Sequence, residues 1–469
     1  MKTKKIISLL LACALCTVSF SGCKKHDQKK AKTSDGKTLI SVGLWPDKEA
    51  EPKSYERMEK QRQDFMEKYP DIYIEEDGWK FDIQSFTAKA EGGTLPTLYK
   101  AYFTEANRIM ELGYAADITD AVKRHGYYDK INDYLLGNIS KNDKIYLIPS
   151  EMYSLGLLIN INLFRQAGLI DASGAPIIPK TFEDMRQTAK EISEKTGKAG
   201  FVFPTAENVG GWNFMPLAWG YGTKFMEQKD GKWISEFASD ECSAALKLIH
   251  DMKWEDNSLP SNTKINAEEV MKLIGTDQAA MTFAHPGQLN SLVNSYGMDI
   301  NAIGMAKMPA GPVKDVTLMG GAFYVIEPNA TPEQIDAALK WIEFDGITPD
   351  LDEEGKARYR ETYEKKKEQG VDVIGIKDLT FWNEKASSQT YKDSVKDEFR
   401  NIPKKNIESY NNKHDMEFQA EEPVCSQDLY ATLDRCIQEV LTNKSANCAS
   451  ILKQASSDFQ ANFLDYENN

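Results

Sequence analysis

The sequence is poor in the residues that carry most protein catalysis. Five histidines, at 26, 125, 250, 285 and 414, are scattered too widely to suggest a metal centre or a metal-ion cargo. No Gly-x-Ser-x-Gly, His-Glu-x-x-His or Walker loop occurs, so common hydrolase, metalloprotease and nucleotide sites lose their motif support. Cysteine is also sparse. Beyond residue 23 only Cys242, Cys425, Cys436 and Cys448 remain, with no Cys-x-x-Cys pair to make a zinc or redox motif; free thiols are the favoured reading, and a disulfide among Cys425, Cys436 and Cys448 stays open. Basic charge falls short, with 57 Lys and Arg against 71 Asp and Glu and a net charge of −14, which argues against a nucleic-acid partner or an anionic-membrane surface. Nothing repeats, which removes the β-sandwich arrays of adhesins. No cofactor and no metal are called for.

What is present begins at the N-terminus. Lys2, Lys4 and Lys5 precede an uncharged apolar run over residues 6–18, too short for a membrane span and suited to a secretory leader. It ends in Phe20-Ser21-Gly22-Cys23, which resembles a bacterial lipobox with Phe20 where leucine is usual. Residues 1–22 are therefore read as a signal peptide and Cys23 as the lipidated residue. That places the protein on the extracytoplasmic face of the cell membrane, attached through its lipid. Residues 23–37 carry no large apolar side chain and read as a flexible tether. No later run is long and apolar enough to span a bilayer. The remaining body is too large for one hydrophobic core and suits two lobes.

Residues 38–44 (TLISVGL) predict a strand. Residues 54–69 place Tyr55, Met58, Phe65 and Met66 at helical spacing, and Pro70 stops them. Strand and helix alternate in this way for about three hundred residues, the pattern of an α/β fold with largely parallel sheets. Thr181 followed by Asp184 predicts a capped helix start. Residues 347–371 are highly charged and read as helical, with Pro349 in the first turn. Asp350, Asp352, Glu354 and Glu361 have the spacing of a calcium loop, but Ala357 and the adjacent basic residues oppose a cation, and a capped helix explains the same residues.

Several segments carry a family resemblance. They are Phe65 with Tyr69-Pro70 and Ile72-Tyr73-Ile74, Gly92-Gly93-Thr94-Leu95-Pro96, residues 112–119, residues 143–149, residues 157–168, Pro179-Lys180-Thr181-Phe182, residues 277–281, and Met319-Gly320-Gly321-Ala322. In this order they resemble the extracellular solute-binding proteins of ABC importers, in the maltose-binding-protein-like group. Thr97 departs from that pattern, standing where aspartate is usual. The resemblance implies a periplasmic-binding-protein-like fold of type II, with two α/β lobes joined by two or three crossing segments. Lobe 1 would comprise 38–150 and 277–325, and lobe 2 would comprise 151–276 and 326–469. It further implies a small-molecule ligand, a carbohydrate, held by hinge closure, with an ABC permease and its ATPase as partners.

Sugar recognition needs aromatic faces for C–H surfaces and planar amides or carboxylates for hydroxyls. Trp45 and Asp47 follow the first strand; Tyr102, Phe103 and Glu105 follow a later one. Glu151 and Tyr153 fall at the expected first crossing, and Gly320 and Gly321 allow close backbone approach. Trp212 and Asn213 sit in a glycine-rich stretch read as a loop, and His285 stands where relatives often carry tryptophan. The same fold accommodates a polyol, a glycerophosphodiester or a peptide. A secreted carbohydrate-active enzyme is the other alternative, but among 71 acidic residues a pair of carboxylates at catalytic separation carries no information. The protein is read as a non-enzyme.

Overall fold

A computed structural model describes residues 30–370 and 372–468. Residues 1–22, read above as a signal peptide, and Cys23 lie outside the described residues. Strands β1 (Thr38–Val42), β2 (Ile72–Glu76), β3 (Leu98–Tyr102), β4 (Leu147–Ser154), β5 (Gly156–Asn160), β6 (Met281–Ala284), β7 (Ile303–Lys307), β8 (Val316–Ile326) and β9 (Glu417–Ala420) form two sheets. The helices that matter below are α1 (Pro52–Lys68), α2 (Phe182–Thr196), α3 (Val209–Gly220), α4 (Pro332–Phe344), α5 (Glu353–Gln369), α6 (Lys404–Asn411) and α7 (Ser426–Thr442).

The six-stranded sheet runs β9-β8-β3-β1-β2, with β4 also paired to β8. β1 is parallel to β2 and β3, whereas β8 runs antiparallel to β3 and β4. Ile40, Ile74, Leu98 and Val325 are buried on it, and Phe65 of α1 and Trp341 of α4 close over them edge to face at 5.1 Å. The second sheet is β6-β5-β7, antiparallel throughout. All five residues of β5 are buried because both its faces are covered. Leu157 and Ile159 face one core with Phe214 and Leu433, and Leu158 faces another with Ile303 and Ile407, as a two-residue repeat requires.

The molecule is thus a mixed α/β protein of the two-lobed type. The cores divide the chain differently from the sequence reading. Within 277–325, assigned to lobe 1, β6 and β7 instead flank β5 in the second sheet, where their apolar side chains are covered. Within 326–469, assigned to lobe 2, α4 packs against the first sheet through Ala337, Ala338 and Trp341. No crossing occurs at Asp277, which accepts a hydrogen bond from Asn160 Nδ2 at 2.6 Å. The chain leaves the large sheet through β4 and returns through β8, and these two strands pair from Met319 with Ser154 to Val325 with Leu147.

Three local expectations also meet the structure. The end of the supposed tether is folded: Lys32 bridges to Thr38, and Lys37 N donates to Thr33 Oγ1 at 3.0 Å around Gly36. A small turn residue and a hydroxyl cap replace the apolar contacts the segment lacks. Thr181 and Asp184 do form a reciprocal capping box on α2. In the charged region Asp352 caps α5 through Gly355 N at 2.7 Å, so the helix starts beyond Pro349 and runs through the positions a calcium loop would need. Among the described residues no helix is long and apolar enough to cross a membrane. Cys242 and Cys436 are buried free thiols, and Cys425 and Cys448 are free and partly exposed.

Candidate functional site

The fold brings four segments to one cleft of about 350 Å³. The end of β3 supplies Tyr102, Phe103 and Thr104, and the β4–β8 pair supplies Tyr153 and Gly321. The entry to α3 supplies Glu207, Asn208, Val209 and Trp212, and the approach to and start of α7 supply Glu421, Gln427 and Tyr430. Both sheets and the strands joining them therefore contribute.

Close backbone contact builds the floor. A Cβ on Gly321 would stand 2.1 Å from the Glu151 carbonyl oxygen, and one on Gly320 would stand 2.7 Å from the Tyr153 ring. Only glycine lets β8 approach β4 this closely. The Tyr153 ring is stacked on His285 with centroids 4.3 Å apart, and Trp212 meets both rings edge-on at 6.3 Å. Burial pushes His285 down to about 4, and the ring, stacked on Tyr153, is not among the residues that line the cleft.

The opposite wall depends on α3. Asp434 of α7 accepts from Asn208 N at 2.8 Å and from Gly211 N at 2.7 Å, satisfying amides that a helix start leaves free. Gly210 and Gly211 let α7 lie directly on α3; a Cβ at Gly211 would meet the Tyr430 backbone at 2.3 Å. Glu207 and Asn208 are consecutive left-handed residues with φ of 61° and 67°. Such a conformation is unfavourable for glutamate, and strain of this kind gathers at functional sites. Trp212 thus projects from a helix, not from the loop expected, and is half-buried.

Glu421 is the central polar group. It accepts from Tyr430 Oη at 2.9 Å and lies beside the Trp212 indole. Burial nevertheless pushes its carboxyl up to about 7. Glu422, next to it, is pushed up to about 7 by burial as well, with the Trp219 indole 3.4 Å away. An adjoining cavity of about 500 Å³ shares Thr104 and Gln427 with the cleft and contains Glu105 and Arg108, 3.6 Å apart. Burial raises Glu105 above the usual carboxylate range, against the pull of Arg108.

Of the residues expected from sequence, Tyr102, Phe103, Tyr153, Trp212 and Gly321 line the cleft, Gly320 and His285 back it, and Glu105 lies in the adjoining space. Four do not belong. Trp45 is 3% exposed and stacks on Trp341 at 6.3 Å in the first core, because its strand–helix junction is covered by α4. Asp47 is exposed and accepts from Glu49 N and Ala50 N, closing the turn before α1. Asn213 is buried and donates to Val209 O within α3. Glu151 is exposed on β4 and lies outside the cleft lining. Glu207, Asn208, Glu421, Gln427 and Tyr430 escaped the sequence reading. Asn208, as a residue tolerant of positive φ before two glycines, left a weak signal; the others left none.

A larger cavity of about 610 Å³ lies between Asn132 and Tyr134 and residues 377–418. Its charged groups are largely spent on one another, as in Lys377 with Asp397 at 3.3 Å. Lys413, also on its wall, donates to the Lys377 and Tyr410 carbonyls, so the space reads as a gap in an ionic network.

Residues 50–344 match the family described as bacterial extracellular solute-binding protein. No curated protein matches the sequence. Among solved structures, the chain is similar to UgpB from Mycobacterium tuberculosis in complex with glycerophosphocholine, with 16% identity and a TM-score of 0.67 over 92% of this chain and 100% of the other. It is similar to the cyclic α-maltosyl-1,6-maltose binding protein from Arthrobacter globiformis, with 18% identity and a TM-score of 0.65 over 91% and 99%. A solute-binding protein from Thermotoga lettingae bound with α-D-tagatose gives 17% identity and a TM-score of 0.61 over 90% and 99%.

Proposed function

We propose, on the premise that the chain belongs to the bacterial extracellular solute-binding proteins, that it captures a sugar or oligosaccharide in the cleft and delivers it to an ABC permease and its ATPase. The observation that carries this reading is the set of accessible rings on the cleft wall, Tyr102, Tyr153 and Trp212, beside the polar groups of Asn208, Glu421 and Gln427. Flat apolar faces beside a few hydrogen-bonding groups suit a pyranose. The adjoining cavity offers room for more than one ring. No chemistry is required of the site. Ligand contact with both walls favours the closed arrangement over the open one, and that difference in affinity drives closure. Lipid attachment at Cys23 would keep the protein beside the permease, and a Cys23→Ala variant should lose incorporation of labelled fatty acid.

The direct test is a thermal-shift and calorimetry screen of the full-length protein against mono- and oligosaccharides, polyols, glycerophosphodiesters and peptides. A ligand present at a hundred times its Kd stabilises the folded state by about 2.7 kcal/mol. A saccharide hit supports the reading. A shift for another class alone would change the cargo, and consumption of the saccharide during the assay would replace the reading with an enzyme.

A further inference from the structure

The cleft is electrically one-sided. Its described lining includes two glutamates, Glu207 and Glu421, and no lysine, arginine or histidine. Glu421 receives a hydrogen bond from Tyr430 and lies beside the Trp212 indole, and among the described residues the nearby Glu105 acts on it as a repulsive charge. Glu422 beside it has only the Trp219 indole. The closest arginine in the adjoining cavity, Arg108, is held by Thr87 at 2.9 Å and by Glu105. His285 is uncharged behind Tyr153. A carboxylate that lines a partly closed cleft without a counter-charge is unfavourable, and the Tyr153 and Trp212 rings beside it present their negative quadrupoles to whatever enters.

A neutral sugar would offer hydroxyls to Glu421 and leave this imbalance in place. A cation would correct it twice, by pairing with the carboxylate and by resting against the ring faces. We propose that the ligand carries a positively charged amino group, as an amino sugar or its oligomer does, seated between Glu421 and the rings of Tyr153 and Trp212. This rests on the carbohydrate reading above and narrows it. The raised Glu421 carboxyl accords with a site whose charge is completed by its ligand.

The test compares three trisaccharides by calorimetry on the full-length protein near neutral pH: the glucosamine trimer, the N-acetylglucosamine trimer and cellotriose, with choline as a non-sugar cation. The glucosamine trimer should bind about tenfold or more tighter than the two neutral trimers, as one charge-assisted contact provides. Glu421→Gln should abolish that preference, and Glu207→Gln at the rim should weaken it; melting curves report whether either variant is folded. Equal or tighter binding of a neutral trimer would overturn the charge inference and leave the carbohydrate reading intact. Binding of choline alone, lost in Glu421→Gln, would keep the charge inference and remove the carbohydrate. Binding of none of the four would remove both.

Discussion

Two tryptophans separate core from site at the scale of single residues. Trp45 and Trp212 each stand at a junction between elements, and both were candidates to touch a ligand. Trp45 stacks on Trp341 with Arg62 5.8 Å from its ring, whereas Trp212 stays half-open beside Glu421. Trp45→Ala should therefore lower stability by about 3–5 kcal/mol in denaturant titrations while the folded fraction keeps its ligand affinity. Trp212→Ala should do the opposite, weakening binding by about 2 kcal/mol, roughly thirtyfold by calorimetry, with little change in melting temperature. Residue type told the sequence reader that a ring was present, but the difference lies in α4, almost three hundred residues after Trp45, and no local pattern reports it. Glu421 makes a second residue-scale prediction. With Glu422, its carboxyl is raised from 4.5 to about 7 by burial, so in this window the folded state holds protons that the unfolded state has released. The associated stability is present below about pH 4.5 and is lost as pH rises through 7. The melting temperature should fall from pH 5 to 8, and a Glu421→Gln, Glu422→Gln double variant should show a shallower fall.

Helix α3 is the element on which the site turns. Its start is held by a side chain from α7, and its two glycines admit that helix as a direct neighbour. Asp434→Ala should destabilise the protein by about 1–2 kcal/mol and also weaken ligand binding, because the turn carrying Asn208 and Trp212 loses its anchor. Gly211→Ala should cost at least the about 1–3 kcal/mol of ordinary overpacking, since backbone cannot retreat as a side chain can. Thermal melts of the two variants with and without ligand check both statements. Elements of this kind were unevenly legible. The Thr181–Asp184 cap on α2 was plain because both partners lie within four residues. The α7 contribution was not, because Glu421 and Tyr430 lie far beyond the last recognisable motif and gain their meaning only from β9, which ends at Ala420 beside β8. A loop at Trp212 is what Gly210, Gly211 and Asn213 suggest locally; packing against α7 overrides them.

At the scale of the whole molecule, the paired β4 and β8 join the two bodies, and the closure proposed above would turn on this ladder. Ligand binding should therefore reduce the radius of gyration measured by small-angle X-ray scattering, and Gly321→Ala, which forces β8 away from the Glu151 carbonyl, should reduce both stability and the size of that change. The α/β class and the two-lobed plan were legible from alternating patterns and motif order, but the division of the chain was not. Strands β6 and β7 and helix α4 are amphipathic or apolar enough to suit either body, and only long-range pairing decides between them. That same pairing governs how the protein is made. β8 is the strand that joins β3 to β4 and β9, yet it leaves the ribosome only after the whole second sheet. Until β8 is in place the edge of β3 stands open to pairing with another chain, so misassembly should begin in the first hundred residues, in the part of the protein that is made earliest and completed last.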